Sequence, residues 1–449
     1  MKTVRVPLVL AASLLLAPCA LAAGAAWADQ APDGGQPGPF AVGHLSLMLN
    51  DASRTSDLGS RPVPVEVFYP ADASAISEST PEAVYPLDPL NESWPPTVSS
   101  DWEAYGYDRA WEGIAASAER PFPLVVFSPG WGTPIWAHNF LALRLASHGI
   151  VVAVLYHYGD AFFPEEQFDH ISIACLNRPL DVSFVLTHLL AANATPGDPL
   201  EGLVDPELVA ASGWSLGGFA AMALAGGVDN LGYNTESELY PEEWPNPPEA
   251  YVPIAPDPRI RCILPLDGSN QMMQFFELAR ITVPAMGMGE EWSTLEDWGY
   301  PWASWQARQH AAFRGHPAYR VDVAGAYHQS FSNYCSAMTL AFEKGLIDAE
   351  TFEMWQGWVC AAPLPEEEAR RVVAKYAVAF LKTHLAREQG HKRFLTPGYV
   401  LGNEPLLELF VTEKRDPHAI DDKWPDYFVY FMHQPGSGEA TGEKNSATA

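Results

Sequence analysis

The run Gly213-Trp214-Ser215-Leu216-Gly217 sets a serine between two glycines. At neutral pH a serine hydroxyl is a weak nucleophile, so it needs a general base beside it and hydrogen-bond donors opposite to hold an oxyanion. The G-x-S-x-G spacing suits that demand. A tight turn between strand and helix presents the serine, and the glycines let backbone and substrate approach. Alone the pattern is short enough to recur by chance, as a surface serine in a Gly-rich turn. Its context strengthens it: Leu208-Val209-Ala210-Ala211 leads in as a strand, and Gly217 to Met222 leads out as a helix.

For such a turn the partners follow in the order acid, then histidine. That order sets aside every histidine before Ser215. His391, His418 and His433 lie in or beyond the end of the last long helix, and His384 lies on it. His310 and His316 precede the strand Tyr319–Val323. His328 follows that strand directly, in Gly325-Ala326-Tyr327-His328-Gln329-Ser330-Phe331, and is the candidate base. Two sites offer the acid. Asp267 ends the strand Ile263-Leu264-Pro265-Leu266 and precedes Gly268, while Glu290 and Glu291 close the next strand, where a carboxylate could equally be a solvated loop charge. Asp267 is preferred and Glu290 is the alternative. The oxyanion donors should be the backbone N–H groups of Leu216 and of Trp131. Trp131 stands in Ser128-Pro129-Gly130-Trp131-Gly132, where Pro129 has no N–H to give.

The elements that must hold these residues alternate along the chain. Apolar runs at Leu124–Phe127, Ile150–Tyr156, Leu208–Ala211, Ile260–Leu266, Ile281–Met286 and Tyr319–Val323 read as buried strands. Helical spacing appears at 135–147, 180–192, 216–226 and, most clearly, 366–387, where Val372, Val373, Tyr376, Phe380 and Leu381 recur. Two further strands precede them at His44–Leu49 and Val63–Tyr69. Such alternation predicts a mostly parallel central sheet with helices on both faces, and with the serine turn and the acid–histidine order it reads as an α/β-hydrolase fold with lid-like insertions. One domain should span 42–433, with insertions at about 72–120, 228–259, 291–317 and 334–362. Residues 29–41 read as a flexible leader and 434–449 as a disordered tail.

Several of these segments resemble the platelet-activating-factor acetylhydrolases and their bacterial relatives. They are PLVVFSPGWGTPIWAHNFLALRLASHGIVVAVLYHYGD from Pro123 to Asp160, the earlier VPVEVFYPA, the turn GWSLGG, the strand end LPLDGS and the loop YHQSFSN. The resemblance covers most of 42–410 with the motifs in order. It implies a calcium-independent lipase or esterase using Ser215, Asp267 and His328 as a triad, with Trp131 and Leu216 as oxyanion donors. It also favours Asp267 over Glu290. The chain departs from that pattern at Pro129, where the family usually has His, and in the insertion 228–259, so pocket shape does not carry over.

The totals fit an exported enzyme. Lys2 and Arg5 precede an apolar run from Val6 to Leu16, and small-residue sites follow at Ala20-Leu21-Ala22 and Ala26-Trp27-Ala28. Residues 1–28 therefore read as a cleavable signal for secretion or the periplasm, too short to span a bilayer. A net charge of −29 excludes nucleic acid as a partner. Forty prolines and 34 glycines point to long irregular connections rather than a helical bundle. Beyond Cys19, four cysteines suggest two disulfides, Cys335–Cys360 and Cys175–Cys262. No zinc or redox motif appears, so neither metal nor organic cofactor is expected, and no stretch reads as a transmembrane helix. The expected partner is a small-molecule or lipid ester. Bulkier hydrophobic esters or polyesters, amide cleavage by a secreted peptidase, and a non-catalytic binding role remain as alternatives.

Overall fold

A computed structural model describes residues 31–86, 89–90, 96–133, 135–159, 169, 171–232, 248–290, 294–295 and 300–413. The expected signal at 1–28 and tail at 434–449 lie outside them. The centre is a ten-stranded sheet. Its strands are β1 (Ala41–Ser56), β2 (Gly59–Ala71), β3 (Ala110–Glu112), β4 (Phe122–Ser128) and β5 (Val151–Leu155), then β6 (Val204–Trp214), β7 (Ile260–Leu266), β8 (Ala285–Glu290), β9 (Ala318–Val323) and β10 (Leu407–Thr412). They lie in the order β10-β9-β8-β7-β6-β4-β5-β2-β1-β3. From β5 to β9 every neighbouring pair is parallel. The antiparallel β2 flanks this block on one side and β10 on the other.

Among the described residues the α-helices of eight residues or more are α1 (Asn139–Ser147), α2 (Ile171–Asn193), α3 (Leu216–Gly226), α4 (Trp305–Ala312), α5 (Tyr334–Glu343), α6 (Ala349–Val359) and α7 (Glu366–His384). The apolar runs are continuous because both faces of the sheet are covered. Val125, Phe127, Val152 and Val154 face α1 and α7, meeting Phe140, Val372, Tyr376 and Phe380. Their neighbours Leu124, Val126, Val151 and Ala153 face α2 and α3, meeting Val182, Leu189, Phe219 and Met222. Each fully buried side chain of this size contributes roughly 1.5–3 kcal/mol. Among the described residues no helix is long and apolar enough to cross a membrane.

Several expectations shift. The strand placed at 281–286 begins after Pro284 instead, since the Ile281 carbonyl accepts the N–H groups of Arg314 and Gly315 at 3.0 and 2.8 Å. Helix α2 starts nine residues before its expected Leu180 and runs through Pro179. β3 and β10 were not foreseen, because each gains its partner from distant sequence. The expected flexible leader is held down in its described part. The Gly38 N–H donates to Ser147 Oγ at 2.9 Å, the Phe40 N–H donates to Ser147 O at 3.1 Å, and Lys375 pairs with Asp33 at 2.9 Å.

Cys335 and Cys360 are joined, pinning α5 to α6. The other expected pair, Cys175–Cys262, does not form. Cys175 on α2 is buried in the layer below the sheet, whereas Cys262 on β7 points into the opposite core layer. The sheet itself separates the two sulfurs.

Candidate active site

Ser215 occupies the turn from β6 into α3 with φ 55° and ψ −122°. A β-carbon makes this conformation unfavourable by roughly 1–3 kcal/mol, so the surroundings must enforce it. The glycines permit that enforcement by close packing. A Cβ on Gly217 would lie 1.8 Å from the Ser128 carbonyl oxygen, and one on Gly218 would lie 2.6 Å from Gly268 Cα. Two backbone bonds fix the turn further: the Ser215 N–H donates to Leu266 O at 3.0 Å, and the Ser269 N–H donates to Ser215 O at 2.9 Å. The turn is therefore tied to residues on both sides of Asp267.

Asp267, just beyond β7, also has positive φ, at 42°. Its Oδ2 is hydrogen-bonded to His328 Nδ1. Its Oδ1 accepts from Gln306 Nε2 at 2.8 Å, and its backbone N–H donates to Met288 O at 2.6 Å. The carboxylate is 7 % exposed while the imidazole is 35 % exposed, so a buried carboxylate orients a ring that solutes can reach. With Nδ1 engaged by the carboxylate, Nε2 is the ring nitrogen that faces away from Asp267. His328 opens the turn His328–Phe331 after β9, and the Asn333 N–H anchors the end of that turn on Ala137 O at 2.8 Å.

Glu290 sits at the end of β8 beside this pair. Its Oε2 is buried without a hydrogen-bond partner. Burial and the neighbouring Asp267 charge push its pKa up to about 9, partly offset by the His328 backbone N–H that faces it. Both causes favour the protonated form of Glu290. Asp267, not Glu290, holds the imidazole.

Leu216 is the first residue of α3 and is buried, so its N–H lies at the positive end of that helix. Trp131 lies in a tight turn closed by the Thr133 N–H donating to Gly130 O at 3.3 Å, with Gly132 at φ 64°. Among the described residues, no group of three or more His, Cys, Asp and Glu is placed to hold a metal ion.

Two contributors were not legible from motif spacing. Trp214 donates Nε1–H to His328 O at 2.9 Å and lies over the imidazole with ring centroids 4.8 Å apart. Helix α4, inside the segment read as an insertion, supplies Gln306 to the Asp267 carboxylate. Its buried Arg308 holds the loop after Asp267 through Asn270 O at 2.8 Å and Met273 O at 2.7 Å. The only sequence trace is Gly287 and Gly289 on β8. A Cβ there would lie 2.1 Å from Gln309 Nε2 and 2.3 Å from Gln306 Cδ respectively, so the glycines make room for the glutamines.

This sheet order, with the serine turn after β6 and further site residues after the strands beyond it, is the α/β-hydrolase fold. The chain is similar in structure to the ferulic acid esterase from Streptomyces cinnamoneus, with a TM-score of 0.51 and 23% identity over 80% of this chain and 93% of that one. At this identity the likeness speaks to the fold. No protein-family model matches the chain, and no curated protein matches its sequence.

Proposed function

We propose that the protein is a serine esterase in which Ser215 is the nucleophile, His328 the general base and Asp267 the acid. The observation that carries this reading is the strained Ser215 turn tied by backbone bonds to Leu266 and Ser269, which bracket an Asp267 already bonded to His328. His328 takes the Ser215 proton as Oγ attacks an ester carbonyl. The N–H groups of Leu216 and Trp131 receive the oxyanion. His328 returns the proton to the leaving alcohol, and an acyl-enzyme forms. Water activated by His328 then releases the acid, while Asp267 holds the tautomer.

Short acyl esters, lipid acetyl esters among them, are the first substrate class, on the strength of the acetylhydrolase-like motifs. A second class is bulkier aromatic esters. It is favoured by the likeness to a ferulic acid esterase and by α6, which the Cys335–Cys360 disulfide ties to the helix after the His328 turn and which exposes Met354 and Trp358 at 66% and 50%. Export through the N-terminal segment belongs to the same reading.

The test is labelling by a fluorophosphonate probe together with a panel of esters graded by acyl length. The panel includes methyl ferulate and matched p-nitrophenyl esters and anilides. Wild type should label and cleave esters well ahead of anilides, and Ser215→Ala should do neither. Equal weak labelling of both proteins would mean a binding protein on a hydrolase scaffold, and anilide cleavage at a similar rate would mean a peptidase.

A further inference from the structure

Below the oxyanion loop lies a second serine–histidine–aspartate arrangement. Ser128 Oγ is 2.8 Å from His157 Nε2, and His157 Nδ1 is 2.9 Å from Asp181 Oδ2. It cannot be a second nucleophilic site, because Ser128, His157 and Asp181 are 0%, 3% and 0% exposed. Its hydrogen bonds run in one consistent direction instead. Arg61 donates to both Asp181 oxygens at 2.9 and 2.8 Å, which keeps the carboxylate ionised despite its burial. With Asp181 accepting Nδ1–H, the neutral imidazole accepts from the Ser128 hydroxyl through Nε2. The lone pairs of Ser128 Oγ are left for a donor, and Arg178 Nη1 fills that place at 3.1 Å.

Arg178, 1% exposed, then reaches the loop backbone. It donates through Nη1 to Pro129 O and through Nη2 to Gly130 O at 2.9 Å. The Gly130 carbonyl belongs to the same peptide plane as the Trp131 N–H. In a trans peptide these two groups point in opposite directions. A guanidinium pulling the Gly130 carbonyl inward therefore turns the Trp131 N–H outward, away from the buried arginine. A charged partner on the carbonyl also polarises the peptide and makes its N–H a stronger donor. The Ser128 and Pro129 carbonyl oxygens lie 1.8 and 2.5 Å from where a Gly217 Cβ would be, so the same short segment abuts the nucleophile turn.

We infer that Arg178, steadied by Ser128, His157 and Asp181, is a positioning residue that aims the Trp131 N–H at the oxyanion. This rests on the esterase reading above. It assigns to the interior of α2 a role in the chemistry that no site motif indicates.

The test compares wild type with Arg178→Gln, Arg178→Lys and Ser128→Ala in the full chain. Three quantities are read: kcat, KM on p-nitrophenyl acetate, and affinity for a phenylboronic acid, which forms a tetrahedral anionic adduct on a serine nucleophile. Losing an oxyanion donor outright costs about 10²–10³ in kcat. Misdirecting one should therefore lower kcat roughly 30- to 100-fold in Arg178→Gln, with KM within about threefold and boronate affinity falling in step with kcat. Lys, which reaches fewer of the three acceptors, should recover part of the loss. Ser128→Ala removes one oxygen and should lower kcat and boronate affinity about 3- to 10-fold. It supplies the answer if Arg178→Gln does not fold. A folded Arg178→Gln, or in its absence Ser128→Ala, with unchanged kcat and boronate affinity overturns the assignment, whatever its stability. If wild type neither labels nor cleaves esters, the esterase reading falls first and this inference with it.

Discussion

Replacing Glu290 by Gln separates the two candidate acids and tests the electrostatics of the site in one variant. In the folded protein the Glu290 pKa lies at about 9, against 4.5 for the ordinary side chain, because burial and the Asp267 charge both disfavour ionisation. Between those values the folded protein holds a proton that the unfolded chain has released, so stability falls as pH rises through the window. Each pH unit costs about 1.4 kcal/mol, which amounts to about 3 kcal/mol at pH 7. Gln carries no such proton and keeps nearly the same shape. Glu290→Gln should therefore match wild type near pH 4.5 and exceed it increasingly above that, by up to about 3 kcal/mol at pH 7. Urea unfolding at half-unit steps from pH 4.5 to 9 measures the divergence, and kcat at pH 7 should stay within about threefold of wild type. Parallel stability curves for the two proteins would mean that Glu290 is ionised in the fold. A hundredfold loss of kcat would mean that Glu290, not Asp267, serves the histidine, and the assignment of the acid would be withdrawn.

Further outcomes follow from the same geometry. Gln306→Ala removes the bond to Asp267 Oδ1 and should lower kcat roughly tenfold with little change in KM, as read from steady-state ester hydrolysis; Gln306→Glu, which adds a charge beside the acid, should be worse. Gly217→Ala forces a Cβ to within 1.8 Å of a backbone oxygen. It should destabilise by about 1–3 kcal/mol and distort the nucleophile turn, seen as a lower urea midpoint and loss of fluorophosphonate labelling. Cys335→Ser with Cys360→Ser opens a link between residues 25 apart and should loosen the α5–α6 pair by about 3 kcal/mol. Hydrogen exchange should then quicken on the order of a hundredfold in 334–362 while β4 to β7 stay protected.

The parts of the fold that sequence made legible are those governed by local pattern. β4, β5, β6 and β7 read as buried strands because apolar residues run without interruption wherever both sheet faces are covered, and α7 showed its helical period openly. The Ser215 turn was legible for the same reason, since glycines at 213 and 217 answer a local steric demand. What failed was non-local. β10 alternates weakly and is a strand because β9 lies beside it, and residues 31–40 carry prolines and glycines yet lie against α1 and α7. Cysteine parity suggested two disulfides, but no count of residues reveals that a sheet stands between Cys175 and Cys262. Gln306 and Arg308 were hidden in a segment read as insertion, because their importance lies in reaching Asp267 and its following loop across the fold.

Trp214 shows why the site needs more than a motif match to be understood. Within G-x-S-x-G its position is nominally free, yet here it joins its own turn to two other loops. Its indole N–H holds the carbonyl of His328, and its ring lies on the imidazole. A Cβ on Gly130 would fall 2.4 Å from its ring carbons, so the oxyanion loop packs directly on the other part of the indole. The residue before Ser215 thus spaces the His328 loop from the Gly130–Trp131 loop. A smaller side chain would leave both without a common support, and a larger Gly130 would push them apart. The glycine at 130 and the tryptophan at 214 are therefore one choice made at two places in the chain. Their pairing belongs to the geometry of the proposed site as much as Ser215 does.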